Sequence, residues 1–339
     1  MDKVRIGIIG AGRIGSLHAK SIQSNIANGE VTAISDVVVQ AAEKAARENG
    51  IPMYAADYQS LLKDPKIDAV LICSPTNTHA DIAMEAARAG KHIFCEKPVD
   101  LSVEKILEAK AVVEKCGVKM QIGFNRRFDH NHKRVRDLAL EGALGDIHIV
   151  KITSRDPAPP PIDYIKASGG LFMDMAIHDF DMARFQAGSE VYEVYAHGAV
   201  LADQAIGEVG DVDTAIIVLK FLNGAMGIID NSRKAVYGYD QRVEVFGSKG
   251  MAAGRNDTPS TVEFAGAECV TADKPLYFFL ERYMESYTAE MRSFINAVRN
   301  DTPVEVGIDD GLRPAIIAQA ALRSMTENRP VRCDEILRL

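Results

Sequence analysis

No apolar run in this 339-residue chain reaches the ~18–20 residues needed to cross a bilayer. Positive charge is in deficit: 39 Lys and Arg stand against 47 Asp and Glu, a formal net charge of −8. A field of that sign repels phosphate backbones and anionic lipid, so neither nucleic acid nor a membrane surface is an expected partner. Cysteine is sparse. Cys73, Cys95, Cys116, Cys269 and Cys333 are widely spaced, form no CxxC pair and are odd in number. They offer neither a disulfide framework nor a zinc ribbon, and they fit small buried thiols in a reducing, cytoplasmic protein. No HExxH, internal repeat, low-complexity tract or long linker occurs. The opening MDKVRIGIIG has no room for a charged region followed by a long apolar one, so it reads as a first strand and not a secretory leader.

What remains is ordinary globular chemistry, 47% hydrophobic and 25% charged, long enough for about two domains. Over the first ~125 residues short apolar runs at 4–9, 31–35, 69–73, 92–95 and 119–124 alternate with Ala-rich helical stretches at 16–25, 39–48, 81–89 and 103–115. Runs apolar almost throughout are strands buried on both faces, as in a parallel sheet covered by helices. Gly50 and Gly90 stop two of the helices. After Arg126 the pattern changes. A helix at 131–141 and a strand at 147–153 precede a proline-rich loop at 156–161 and a helix at 171–187. Strands at 190–200, 214–221, 225–231, 242–246 and 261–264 then suggest an antiparallel sheet, with Asn223-Gly224 as a tight turn, and helices at 283–299 and 310–326 close the chain. The fold class is therefore α/β: a doubly wound parallel sheet over 1–124, then an α+β domain with a large open, mainly antiparallel sheet over 125–339, the terminal helix being free to pack back on the first domain.

Gly10-Ala11-Gly12-Arg13-Ile14-Gly15 is a GxGxxG that directly follows a strand and opens a helix, the context that gives the string meaning. Gly10 permits the turn, Gly12 admits a pyrophosphate to the backbone and Gly15 lets helix and strand approach, while the helix N-terminus supplies N–H groups and positive dipole. Arg13 and Ile14 join this cradle. Asp36, about twenty residues on, ends the second strand and suits the two ribose hydroxyls of NAD; no Lys or Arg follows at Val37-Val38-Val39 to welcome the 2′-phosphate of NADP. Ser74, Asn77 and His79 follow another strand at its carboxyl end, where they either line the cofactor or, for Asn77 and Thr78, cap a helix.

Two further motifs point to catalysis. Glu96-Lys97-Pro98 follows the strand 92–95 and puts Glu96 and Lys97 on the cofactor edge. In Gly169–Asp181, read as one helix, Asp174, His178 and Asp181 fall at i, i+4 and i+7 on one face. Together these parts describe hydride removal from an alcohol: His178 as base for the hydroxyl proton, Asp174 orienting its ring, Lys97 stabilising the alkoxide, and no metal.

The VRIGIIGAGRIG opening, the CEKP at 95–98 and GGLFMDMAIHDFD resemble the glucose–fructose oxidoreductase/inositol dehydrogenase/rhizopine catabolism family across essentially the whole chain. The resemblance implies a Rossmann domain, NAD, and oxidation of one axial hydroxyl of myo-inositol to scyllo-inosose, or of scyllo-inositol, another isomer or a cyclic sugar. It places the family's catalytic lysine, aspartate and histidine on Lys97, Asp174 and His178. Family substrate contacts fall on Asn125, Arg126, Arg155, Asp156, Asp181 and either Tyr237 or Tyr239. It also implies a homotetramer built through the outer face of the antiparallel sheet. A non-catalytic NAD-binding sensor would be expected to lack one of the three catalytic positions, and all three are present.

Overall fold

The computed structural model describes residues 3–337. The chain divides into two compact units, Met1–Phe128 with Glu285–Ala315, and Asp129–Met284 with Ile316–Leu339. The late segment 285–315 groups with the first unit.

In the first unit six strands, β1 (Val4–Ile9), β2 (Gly29–Ser35), β3 (Met53–Ala55), β4 (Ala69–Ile72), β5 (His92–Cys95) and β6 (Met120–Ile122), form one sheet in the order β3-β2-β1-β4-β5-β6. Every pairing is parallel. The order reverses between β1 and β4, the place where such sheets hold ligands at the strands' carboxyl ends. Helices α1 (Arg13–Asn25), α2 (Val39–Asn49), α3 (Gln59–Lys63), α4 (His79–Arg88) and α5 (Val103–Cys116) connect the strands. Ser102 caps α5 by accepting from the Lys105 N–H, and Gly50 and Gly117 close α2 and α5 in the left-handed conformation. The core joins Ile6, Ile8, Ile34 and Leu71 to Met291, Phe294, Ile295 and Val298 of the helix Met284–Asn300. This late helix is an integral part of the first unit's core.

The second unit is built on a seven-stranded sheet. Its strands are β7 (Ile147–Arg155), β8 (Val191–Ala199), β9 (Thr214–Phe221), β10 (Met226–Ser232), β11 (Asp240–Gly247), β12 (Met251–Gly254) and the short β15 (Val331–Arg332), after a separate hairpin of β13 (Glu263–Ala265) and β14 (Val270–Ala272). The order is β12-β11-β7-β10-β9-β8-β15, antiparallel except where β7 pairs with β10. Strict alternation in β9 buries Ile217 and Leu219 and exposes Ile216 and Val218. Ile149, Met226, Ile228 and Phe246 are exposed likewise. Four helices of this unit are α6 (His130–Leu140), α7 (Ile162–Ser168), α8 (Gly170–Asp174) and α9 (Ala176–Ala187). The segment expected as one helix over 171–187 is thus two, joined at Met175, and Gly169 at φ 84° ends the helix before them.

A candidate NAD-linked active site

The glycine motif takes the shape its spacing implies. Gly10 has φ 102°, and a Cβ there would stand 2.6 Å from the Cys73 carbonyl oxygen, so the β1 turn lies against the end of β4. A Cβ at Gly15 would lie 1.9 Å from the Gly10 oxygen, a separation no side chain tolerates. At Gly12, the N-cap of α1, a Cβ would meet nothing within 4 Å. The backbone is therefore open where a pyrophosphate must approach, and the first turn of α1 presents N–H groups without intrahelical partners. Arg13 is exposed and Ile14 half-buried beside it.

Asp36 binds the same loop: its carboxylate accepts from the Ala11 N–H at 2.8 Å and the Val38 N–H at 2.9 Å. A carboxylate has about four acceptor sites, so two remain for ribose hydroxyls. Val37 beside it is 92% exposed and offers a 2′-phosphate nothing. Ser74 Oγ lies 2.7 Å from Thr78 Oγ1, and Asn77 is exposed in the 3-10 turn Thr76–Thr78.

His79 is buried, with Nδ1 2.8 Å from the Pro98 carbonyl and Nε2 2.7 Å from the Ser74 carbonyl. Both ring nitrogens tie the loops after β4 and β5 together at the sheet's carboxyl edge. The Glu96 carboxylate turns inward, where Oε1 meets Nε2 of the buried His18 at 2.8 Å. Lys97 follows, half-buried, on the same edge, with a cis bond to Pro98. Asn125 and Arg126, both buried, open the 3-10 turn Asn125–Phe128 after β6.

In the second unit Asp174 closes α8 and His178 lies in the first turn of α9. They do not share one continuous helical face, because the backbone breaks at Met175. The Asp174 carboxylate accepts from Tyr164 at 2.8 Å and from both terminal nitrogens of Arg233 at 3.3 Å. Arg233 is 1% exposed, a buried cation delivered from beyond β10 that no helical spacing could reveal. Asp179 accepts from Asn231 of β10 at 2.8 Å. Asp181 is buried 3.6 Å from Arg184, which also grips Glu190 at 2.6 Å.

Strand parity decides Arg155. It shares the outward face of β7 with Ile149 and Lys151, pairs with Asp230 of β10, and donates to the Tyr237 hydroxyl at 3.1 Å. The face covered by α9 is the opposite one, carrying Asn231. The structure therefore does not bring Arg155 to Asp174. Asp156, one residue on, is held by its backbone: its N–H donates to Ser232 and its carbonyl accepts from Ala235. Tyr239 is buried edge-on to Phe278 and Tyr283, whereas Tyr237 sits in the outward cluster, its hydroxyl 2.6 Å from Asp240.

Residues 4–124 match the model of the oxidoreductase family with an NAD-binding Rossmann fold, and 132–253 match that of the GFO/IDH/MocA C-terminal domain. The chain belongs to the Gfo/Idh/MocA family. As a member of that family it is an NAD-dependent oxidoreductase, and the open Gly12 backbone with Asp36 beside it fits that cofactor. Among the family's members, the chain is 54% identical over 325 residues to the uncharacterized oxidoreductase YrbE of Bacillus subtilis, covering 96% of this chain and 95% of the other. It is 46% identical over 334 residues to the myo-inositol 2-dehydrogenase of Thermotoga maritima, covering 98% and 100%. The crystal structure of scyllo-inositol dehydrogenase from Lactobacillus casei with bound NAD(H) and scyllo-inositol superposes with a TM-score of 0.91 at 31% identity, covering 98% and 99%.

Proposed function

We propose that the protein oxidises the axial hydroxyl of myo-inositol to scyllo-inosose, passing the hydride to NAD. The observation that carries this reading is the 46% identity to a myo-inositol 2-dehydrogenase along 98% of the chain, with Lys97, Asp174 and His178 all in place. Bound NAD supplies the hydride acceptor. The rest is done by side chains. Loss of hydride from a carbinol is favourable only as the hydroxyl proton leaves, so a base must reach that hydroxyl. In this reading His178 takes the proton, Asp174 orients the imidazole, and Arg233 with Tyr164 holds Asp174. Lys97 donates to the same oxygen and stabilises the charge that develops there. Asn125, Arg126, Asp156 and Tyr239 remain candidates for the ring hydroxyls.

The test is purified protein with NAD and a panel of inositol isomers and aldoses, followed by reduced-nicotinamide absorbance. Fastest turnover with myo-inositol is the expected result. A flat trace across the panel would sink the dehydrogenase reading. The likeness to the scyllo-inositol enzyme favours one alternative, scyllo-inositol as the preferred isomer, and the same panel separates the two.

We also propose a homotetramer formed through the outer face of the seven-stranded sheet. Its support is the exposed apolar set Ile149, Ile216, Val218, Met226, Ile228 and Phe246 on neighbouring strands, an array that isolated soluble surfaces rarely present. None of the five cysteines is in a disulfide, which suits a reducing, cytoplasmic setting.

A further inference from the structure

Two buried side chains and one half-buried side chain meet behind the strand end that carries Lys97. His18 of α1 and Glu290 of the helix Met284–Asn300 are each 0% exposed, and Glu96 directly precedes Lys97. One donor atom from each lies within 4.8 Å of the others. Glu96 already engages His18 at 2.8 Å, whereas neither oxygen of Glu290 has a hydrogen-bond partner among the described residues. The surroundings are ring edges and bare backbone. Phe94 and Tyr287 flank the His18 ring at 5.4 and 5.7 Å, and a Cβ at Gly123 would stand 2.9 Å from Glu96 Oε2.

Such a trio could hold a metal ion or a proton. Two ligands at about 2.0–2.1 Å from a tetrahedral zinc stand roughly 3.3 Å apart. Glu96 and His18 are closer than that, at hydrogen-bond distance, so the pair is closed on itself. Burial, reinforced by the charge of Glu96, pushes the Glu290 carboxyl well above the usual carboxylate range. The other titratable groups facing the cluster are the thiols of Cys73 after β4 and Cys95 on β5, both pushed up by burial and therefore neutral, and the phenol of Tyr287.

We propose that Glu290 is a positioning residue for Lys97: packed within 4.8 Å of the hydrogen-bonded His18–Glu96 pair, it closes the space behind that pair and so fixes the backbone from which Lys97 extends. The proposal rests on the reading of Lys97 as the group that stabilises the alkoxide. It deepens that reading by naming what holds the lysine's loop from behind. Ser21 of α1 lies 2.8 Å from Thr288, and Gln121 of β6 donates to the Glu290 carbonyl at 2.9 Å, so the helix that presents Glu290 is itself anchored to both neighbours.

The test compares native protein with Glu290→Gln and Glu290→Leu. Infrared difference spectra, native minus Glu290→Gln at neutral pH, should show the carbonyl stretch of a protonated carboxyl. Glu290→Gln keeps a neutral donor of the same size and should retain kcat, whereas Glu290→Leu should lose about 10- to 100-fold in kcat with NAD affinity unchanged. Absence of the protonated-carboxyl band with native turnover intact would overturn the proposal alone. So would full kcat in Glu290→Leu, or stoichiometric zinc retained by native protein and lost in Glu290→Gln. No turnover by native protein on any polyol would overturn the role through its premise, and the band, which needs no substrate, would identify that case.

Discussion

The two sheets bury themselves in opposite ways. In the six-stranded sheet β4 and β6 are buried at every residue and β1 at all but one, so both faces are core. In the seven-stranded sheet β9 and β10 alternate, one face buried and the other outward and partly apolar. A sheet covered on both sides has only its strand ends left for chemistry, which is where the glycine turn, Asp36 and Lys97 lie. A sheet covered on one side has a whole surface to spare. The candidate groups Asp174 and His178 belong to helices of this unit, and the sheet's other face stays exposed.

That contrast breaks first at the chemical groups. His178→Ala or Lys97→Ala should lower turnover by roughly 100-fold or more while NAD binding, measured by fluorescence titration, persists; unchanged turnover would remove that residue from the mechanism. Next comes the second unit's charged interior. Arg282 and Asp129 are both buried, with Arg282 also 2.9 Å from Asp257. Arg282→Met leaves buried Asp129 without its guanidinium partner, and urea denaturation should show a loss of about 3–5 kcal/mol. Burial opposes ionisation of Asp129, but His132 and Arg282 win and hold its carboxyl below the usual range. A depressed acid stabilises the fold above its unfolded-state pKa, so this contribution should fade as pH falls through the acid range, and should be missing from the pH profile of the variant. A cycle in which Arg282→Met costs nothing at neutral pH would show the pair to be inert.

Smaller effects sharpen the contrast. Asp36→Ser combined with Val37→Arg should move preference toward NADP by about tenfold or more, since a guanidinium grips a phosphate where a carboxylate repels it; strict NAD use in the double variant would put the ribose contact elsewhere. Ile228→Lys on the outward face should change the urea midpoint very little, within about 0.5 kcal/mol, yet reduce the particle mass seen by light scattering. An unchanged mass would leave that face without a role in assembly.

Local pattern carried much of this. The strands at 4–9 and 92–95 stand where their apolar runs end, and the glycine turn was legible because each glycine answers a different steric demand. The edge strand Met53–Ala55 went unread because it is short and half exposed, and α3 because five residues leave no period to measure. Parity along β7 could have placed Arg155 outward, since Ile149 and Lys151 share its side. His79 and Glu96 are different. Both follow strands at the edge where a ligand belongs, yet their side chains turn to packing partners: His79 to the Ser74 and Pro98 carbonyls, and Glu96 to His18, 78 residues away in sequence. Arg233 is the same problem reversed, a buried partner for Asp174 delivered from 59 residues downstream.

The chain path has a consequence for how the protein is made. Met291, Phe294, Ile295 and Val298 belong to the same core as β1 and β2. A ribosome that has finished residue 128 has therefore emitted every strand of the dinucleotide sheet but not the helix that seals it. At about 5–20 residues per second that helix arrives roughly 10–30 s later. During this interval the nascent sheet keeps an apolar flank open while the other unit is still being synthesised. Truncation after Phe128 would freeze that unfinished state, so a stable stand-alone nucleotide fragment should require 285–315 supplied as a fused segment.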